Sequence, residues 1–138
     1  MKRPLSIVLI LALVLLPIGC SAQDMMKDTI ETMLAQFTVT YTIEVNGTEG
    51  LDFSGKYVVV TQEYDPINFV ASNSCSYNVS GNVPAQYTAE NAVSVVGMFQ
   101  KKSAEGTLEV RILKGDELVD LANTSDAWGA VLVTAVNQ

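Results

Sequence analysis

From Phe37 the chain alternates without a break. Phe37, Val39, Tyr41, Ile43 and Val45 are apolar, while Thr38, Thr40, Thr42, Glu44 and Asn46 are polar. A period of two puts the two sets on opposite faces of an extended strand, so this segment buries one face and wets the other. Asn46-Gly47 ends the run with a strong turn signal. The same pattern recurs downstream. Phe53 to Gln62 predicts a strand centred on Tyr57-Val58-Val59-Val60, and Asp65-Pro66 then breaks the chain. A short strand is expected near Ile67 to Ala71. Another follows, with Cys75, Tyr77 and Val79 facing inward between polar neighbours. Gly81 and Pro84 bracket a turn. Ala92 to Gln100 reads as an apolar strand, and Leu108, Val110 and Ile112 alternate with Glu109 and Arg111. Lys114-Gly115-Asp116 is a hairpin turn into Leu118-Val119. Ala127 to Val136 is apolar on both faces, as a central strand would be. Six to eight strands at this spacing predict an all-β fold, an antiparallel β-sandwich or barrel.

Helical spacing occurs only before this region, where Met26, Ile30, Met33, Leu34 and Phe37 recur on one face between Ser21 and Gln36. Asp24, Asp28 and Glu31 against Lys27 make a polar face ill suited to a membrane surface. The helix reads as a spacer that packs its Met-rich face on the domain.

Further upstream, Lys2 and Arg3 precede an apolar run, Leu5 to Leu16, that is interrupted only by Ser6 and closed by Pro17-Ile18-Gly19-Cys20. This stretch resembles the prokaryotic lipoprotein signal, with Gly19 before the cysteine and Pro17 where leucine is usual. That resemblance implies cleavage before Cys20 and acylation of Cys20, which would anchor the protein to a membrane outside the cytoplasm. Two other readings are open. Cys20-Ser21-Ala22 can serve as an ordinary cleavage site, releasing a soluble chain from Gln23. An uncleaved anchor ranks last, because a spanning helix needs about 20 apolar residues. The expected organisation is a signal at 1–19, a lipidated N-terminus and helical spacer at 20–36, and a β-sandwich at 37–138. Removing the signal leaves roughly 120 residues, enough for one domain with a core.

Acidic residues number 15 against 8 basic ones. That balance disfavours nucleic acid, whose binding depends on neutralising phosphates, and it disfavours lying flat on an anionic membrane. In the mature part, Lys101-Lys102 is the one basic pair and reads as a solvated strand end.

The chain contains no histidine. It therefore lacks the usual general base, the Ser-His and Cys-His dyads and the commonest metal ligand. No phosphate-cradling glycine loop is present. Cys75, on the inward face with no cationic neighbour, is expected in the core as an inert thiol. Glu63 with Asp65, and Asp116, Glu117 and Asp120, are candidate carboxylate sets for glycoside hydrolysis or weak calcium binding. Both fall in expected turns, where solvated acids are ordinary, and neither matches the calcium-loop spacing. Asn46, Asn78 and Asn123 each begin an Asn-x-Ser/Thr triplet, with Asn46 and Asn123 expected in turns and Asn78 pointing outward. Trp128 is expected to plug one end of the core. The reading is a non-enzymatic binding or structural module without cofactor, metal or nucleic acid. Its partners are the membrane, through the lipid on Cys20, and an envelope protein.

The order Phe53-Ser54-Gly55-Lys56-Tyr57-Val58-Val59, Val83-Pro84-Ala85-Gln86-Tyr87-Thr88, Phe99-Gln100-Lys101, Gly106-Thr107-Leu108-Glu109-Val110-Arg111-Ile112 and Thr124-Ser125-Asp126-Ala127-Trp128-Gly129 resembles a group of small prokaryotic lipoproteins. Their domain is similar to the extracytoplasmic part of the mycobacterial small membrane proteins that accompany large lipid exporters. The resemblance covers the chain from about Phe37 onward. It implies an immunoglobulin-like sandwich, no catalytic motif, and a role as accessory subunit of a membrane transporter. The mycobacterial proteins have a spanning helix where this chain has Cys20.

Overall fold

A computed structural model describes residues 22–138. The expected signal at 1–19 and Cys20 lie outside the described residues. The protein is mostly β, with a helix, α1 (Ala22–Phe37), followed by seven antiparallel strands in one sheet. The strands are β1 (Val39–Gly47), β2 (Asp52–Asp65), β3 (Phe69–Asn82), β4 (Ala85–Lys101), β5 (Leu108–Lys114), β6 (Glu117–Thr124) and β7 (Ala130–Val136). Their order is β3-β2-β4-β1-β5-β6, and β7 also pairs with β4.

β4 organises the sheet. Its first half, from Ala85 to Ala92, pairs with β1. Its second half pairs with β2 and, from Ser94 to Gln100, with β7. Between the halves the register shifts against both β1 and β2, and Asn91 takes a positive φ of 51°. A bulge of this kind bends and twists a strand. The bend lets the sheet turn around one core and brings β7 against β5 and β6. Ile43 and Val45 of β1, Phe53 and Val59 of β2, Phe99 of β4 and Val133 of β7 meet there. The Phe53 and Phe99 ring centroids lie 6.2 Å apart. Phe99 fits because Gly97 and Gly55 flank its ring; a Cβ on Gly97 would stand 2.8 Å from it, and one on Gly55 closer still.

Several sequence expectations need correction. Phe37 ends α1, half exposed, and β1 begins at Val39. The Asn46-Gly47 turn does not make a hairpin, because β1 pairs with β4 and β5 rather than β2. The two short strands read between Ile67 and Ser80 are one strand of 14 residues, since pairing along all of β2 carries β3 through its polar middle. β4 starts at Ala85, ahead of the expected Ala92, because the bulge resets its alternation. β7 pairs only with β4 among the described residues, so it is not central; its outward Leu132 and Val136 are exposed.

α1 touches β2 and β3 without a fully buried residue. Met25, Ile30, Met33 and Leu34 form its half-buried stripe, while Met26 faces solvent. No helix among the described residues is long and apolar enough to cross a membrane.

Candidate functional site

Register alone assembles an aromatic cluster. Tyr57 of β2 lies opposite Tyr77 of β3. Their rings stack with centroids 4.9 Å apart and planes inclined by 22°. The first half of β4 brings Tyr87 to 5.7 Å from Tyr57. Burial pushes the Tyr57 phenol above its ordinary range, and the neighbouring Tyr77 and Tyr87 push it further. Burial likewise raises Tyr87. These phenols therefore stay neutral at physiological pH and act as hydrogen-bonding, stacking groups.

Beside the cluster lies an open cleft of about 370 Å³, lined by Val59, Thr61, Cys75 and Tyr77 on one side and by Thr88 to Asn91 on the other. Its volume falls within the range of small-molecule sites. It offers the hydroxyls of Thr61, Tyr77 and Thr88, the Asn91 amide, the Cys75 thiol and the Glu90 carboxylate. This chemistry suits stacking and hydrogen bonding.

Cys75 contradicts its expected burial: the thiol is exposed. Alternation had put it on the same face as the buried Val59, its register partner. At β3 that face is left uncovered, so an inward parity there opens into the cleft. Trp128 is also not a core plug. It is 57% exposed, with a positive φ of 57°. Its backbone is held by Ser103, whose carbonyl accepts from its N–H at 3.1 Å, and by the Gln100 amide, which donates to its carbonyl at 3.0 Å.

The Lys101-Lys102 pair divides. Lys102 is exposed, but Lys101 is only 1% exposed. Its ammonium donates to the carbonyls of Gly106, Asp126 (2.9 Å) and Ser125 (3.4 Å). A buried charge persists only where donors find acceptors, and these three tie the loop after β4 to the loop before β7. The signal was present in the sequence, because Val95, Gly97, Phe99 and Lys101 share one parity.

The candidate acids serve turns and edges. Glu63 accepts from the Asn73 amide at 2.6 Å. Asp65 accepts from the Ile67 and Asn68 N–H groups at 2.6 and 2.9 Å, which holds its carboxyl below the usual range. Asp120 accepts from the Thr134 N–H at 2.8 Å, linking β6 to β7. Asp116 sits in the β5–β6 turn and Glu117 opens β6. Among the described residues no group of three or more His, Cys, Asp or Glu side chains is placed to hold a metal ion. Asn46 and Asn123 lie in β1 and β6, not in turns, while Asn78 is exposed on β3.

No protein-family model matches the chain, and no curated protein matches it.

A second surface is apolar. Met98, Leu132 and Val136 on the outer side of β4 and β7 are each about three-fifths exposed, with Val96 beside them. Trp128 adjoins this surface through Gln100. Clustered exposure of this kind is typical of contact surfaces.

Proposed function

We propose that the protein is a membrane-anchored extracytoplasmic lipoprotein whose domain is a non-catalytic binding or structural module. The observation that carries this reading is the stretch from Lys2 to Cys20, a basic start and an apolar run ending in Gly19-Cys20. The lipid on Cys20 holds the chain at the membrane and α1 spaces the domain from it. The sheet, turned by the β4 bulge, is an immunoglobulin-like sandwich in this reading. β7 lying against β5 and β6 supports two facing layers. The tyrosine-lined cleft and the apolar face around Met98 and Leu132 are surfaces through which such a module engages an envelope partner.

The motif order from Phe53 to Gly129 favours a second reading within the same frame, as an accessory subunit of a membrane transporter. Co-purification with a multi-spanning membrane protein is the result this reading expects.

Intact mass and membrane fractionation of the expressed protein, beside Cys20→Ala, test the proposal. The expected result is an acylated chain that begins at Cys20 and a variant that loses the lipid mass. A soluble chain beginning at Gln23 overturns the anchor and leaves a secreted domain.

A further inference from the structure

β3 is an edge strand of unusual openness. Among the described residues it pairs only with β2, in an unbroken register from Asp52 opposite Asn82 to Asp65 opposite Phe69. Residues 72–78 are exposed throughout. Proteins normally guard a long edge with a lysine, a proline, a bulge or a cover. β3 has no proline, no charged residue and no bulge over its 14 residues. No charge occurs anywhere between Asp65 and Glu90. The strands at the other edges are treated differently. β6 carries Glu117 and Asp120 and a register shift, and the Asp120 carboxylate takes up the Thr134 N–H of β7.

We propose that β3 is a homodimerisation edge, pairing antiparallel with β3 of a second copy of this chain. The charge distribution selects that occupant. A chain of net charge −7 repels its own copies wherever charged surfaces meet. Along β3 itself that repulsion has no source, because its own 14 residues are uncharged and the nearest carboxylates sit on neighbouring strands: Glu63 of β2, held by the Asn73 amide, and Glu90 of β4 across the cleft. A neutral strand of equal length does fit, and the chain itself supplies one. Twofold antiparallel pairing places one residue opposite its own copy, and because the midpoint of Phe69–Asn82 lies between Cys75 and Ser76, that residue is one of these two. Pairing consumes the open edges, so association stops at two copies.

The dyad stands perpendicular to the extended sheet, so both inner faces point the same way. Tyr77 and Cys75 of each copy then share one floor, and the two tyrosine clefts become one continuous trough. The pairing does not depend on the anchor at Cys20.

The test is sedimentation of the full-length protein in mild detergent over a concentration series, with bis-maleimide crosslinking of Cys75. Cys75→Ser serves as the crosslinking control and Ser74→Lys/Ser76→Lys as the interface variant. Both serines are exposed on the outer face of β3, so the lysines leave the core alone and bring like charges together at the dyad. The expected results are a dimer, a Cys75-dependent crosslink, and association in the lysine variant weakened by about tenfold or more at unchanged circular dichroism. In wild-type protein, amide exchange on β3 slows as concentration rises. A monomer at every concentration, open-ended oligomers, a dimer equally tight in the lysine variant, or a crosslink only to another protein would each overturn the proposal.

Discussion

β1 and β3 carry the same alternation and meet opposite fates. In β1, Tyr41, Ile43 and Val45 are buried, with strands paired on both sides. In β3, Cys75 and Tyr77 have the same inward parity, yet both are exposed. Parity reports which face a side chain is on. Burial needs other side chains packed over that face; they enclose Tyr41, Ile43 and Val45 and leave Cys75 and Tyr77 open. The same distinction separates Lys101 from Lys102, adjacent lysines of which one is caged by carbonyls and the other is solvated.

The comparison breaks most visibly in the core. Ile43→Ala should cost about 2–5 kcal/mol, because it empties a fully covered position that cannot collapse. Denaturant unfolding measures this, and a loss no larger than that of a β3 substitution would erase the contrast. Lys101→Met comes next. It keeps the side-chain length but strands three carbonyls, at an expected cost of about 1–3 kcal/mol. If the variant is as stable as wild type, the ammonium is not what joins the two loops.

Cys75→Ala should change stability by no more than about 0.5 kcal/mol, as for an ordinary surface substitution. Native monomeric protein should label rapidly with a thiol reagent. Slow labelling under dissociating conditions would return Cys75 to the core.

The smallest effect concerns the tip that joins β2 to β3. Asp65 has its carboxyl lowered by the Asn68 and Ile67 N–H groups. Its contribution is therefore present above the ordinary carboxylate range and lost as pH falls through the lowered folded value. Amide exchange at Ile67 and Asn68 should accelerate on acidification, and Asp65→Asn should flatten that dependence. Unchanged pH dependence in the variant would assign it to another acid.

The all-β class was legible because alternation is a local consequence of the extended backbone, and Tyr41, Ile43, Val45, Leu108, Val110 and Ile112 could be read as inward from spacing alone. The tyrosine cluster was half legible. Tyr57 and Tyr77 share inward parity on neighbouring strands, but their stacking depends on register, and Tyr87 arrives only through the bend in β4. β7 was misjudged because an apolar outer face in sequence looks the same whether another strand covers it or solvent does.

By itself the sequence determined the alternation of β1 and β5, the helix before them, the break at Asp65-Pro66, the hairpin turn at Lys114-Gly115-Asp116, and the acidic balance of the chain. These depend on residues close together, through pleat, turn geometry and charge. Only the tertiary structure decided that β4 serves two sets of partners, that Lys101 is enclosed, and that Cys75 and Trp128 meet solvent. Each of those outcomes depends on what lies across the core from a residue, and segments distant in the chain supply it.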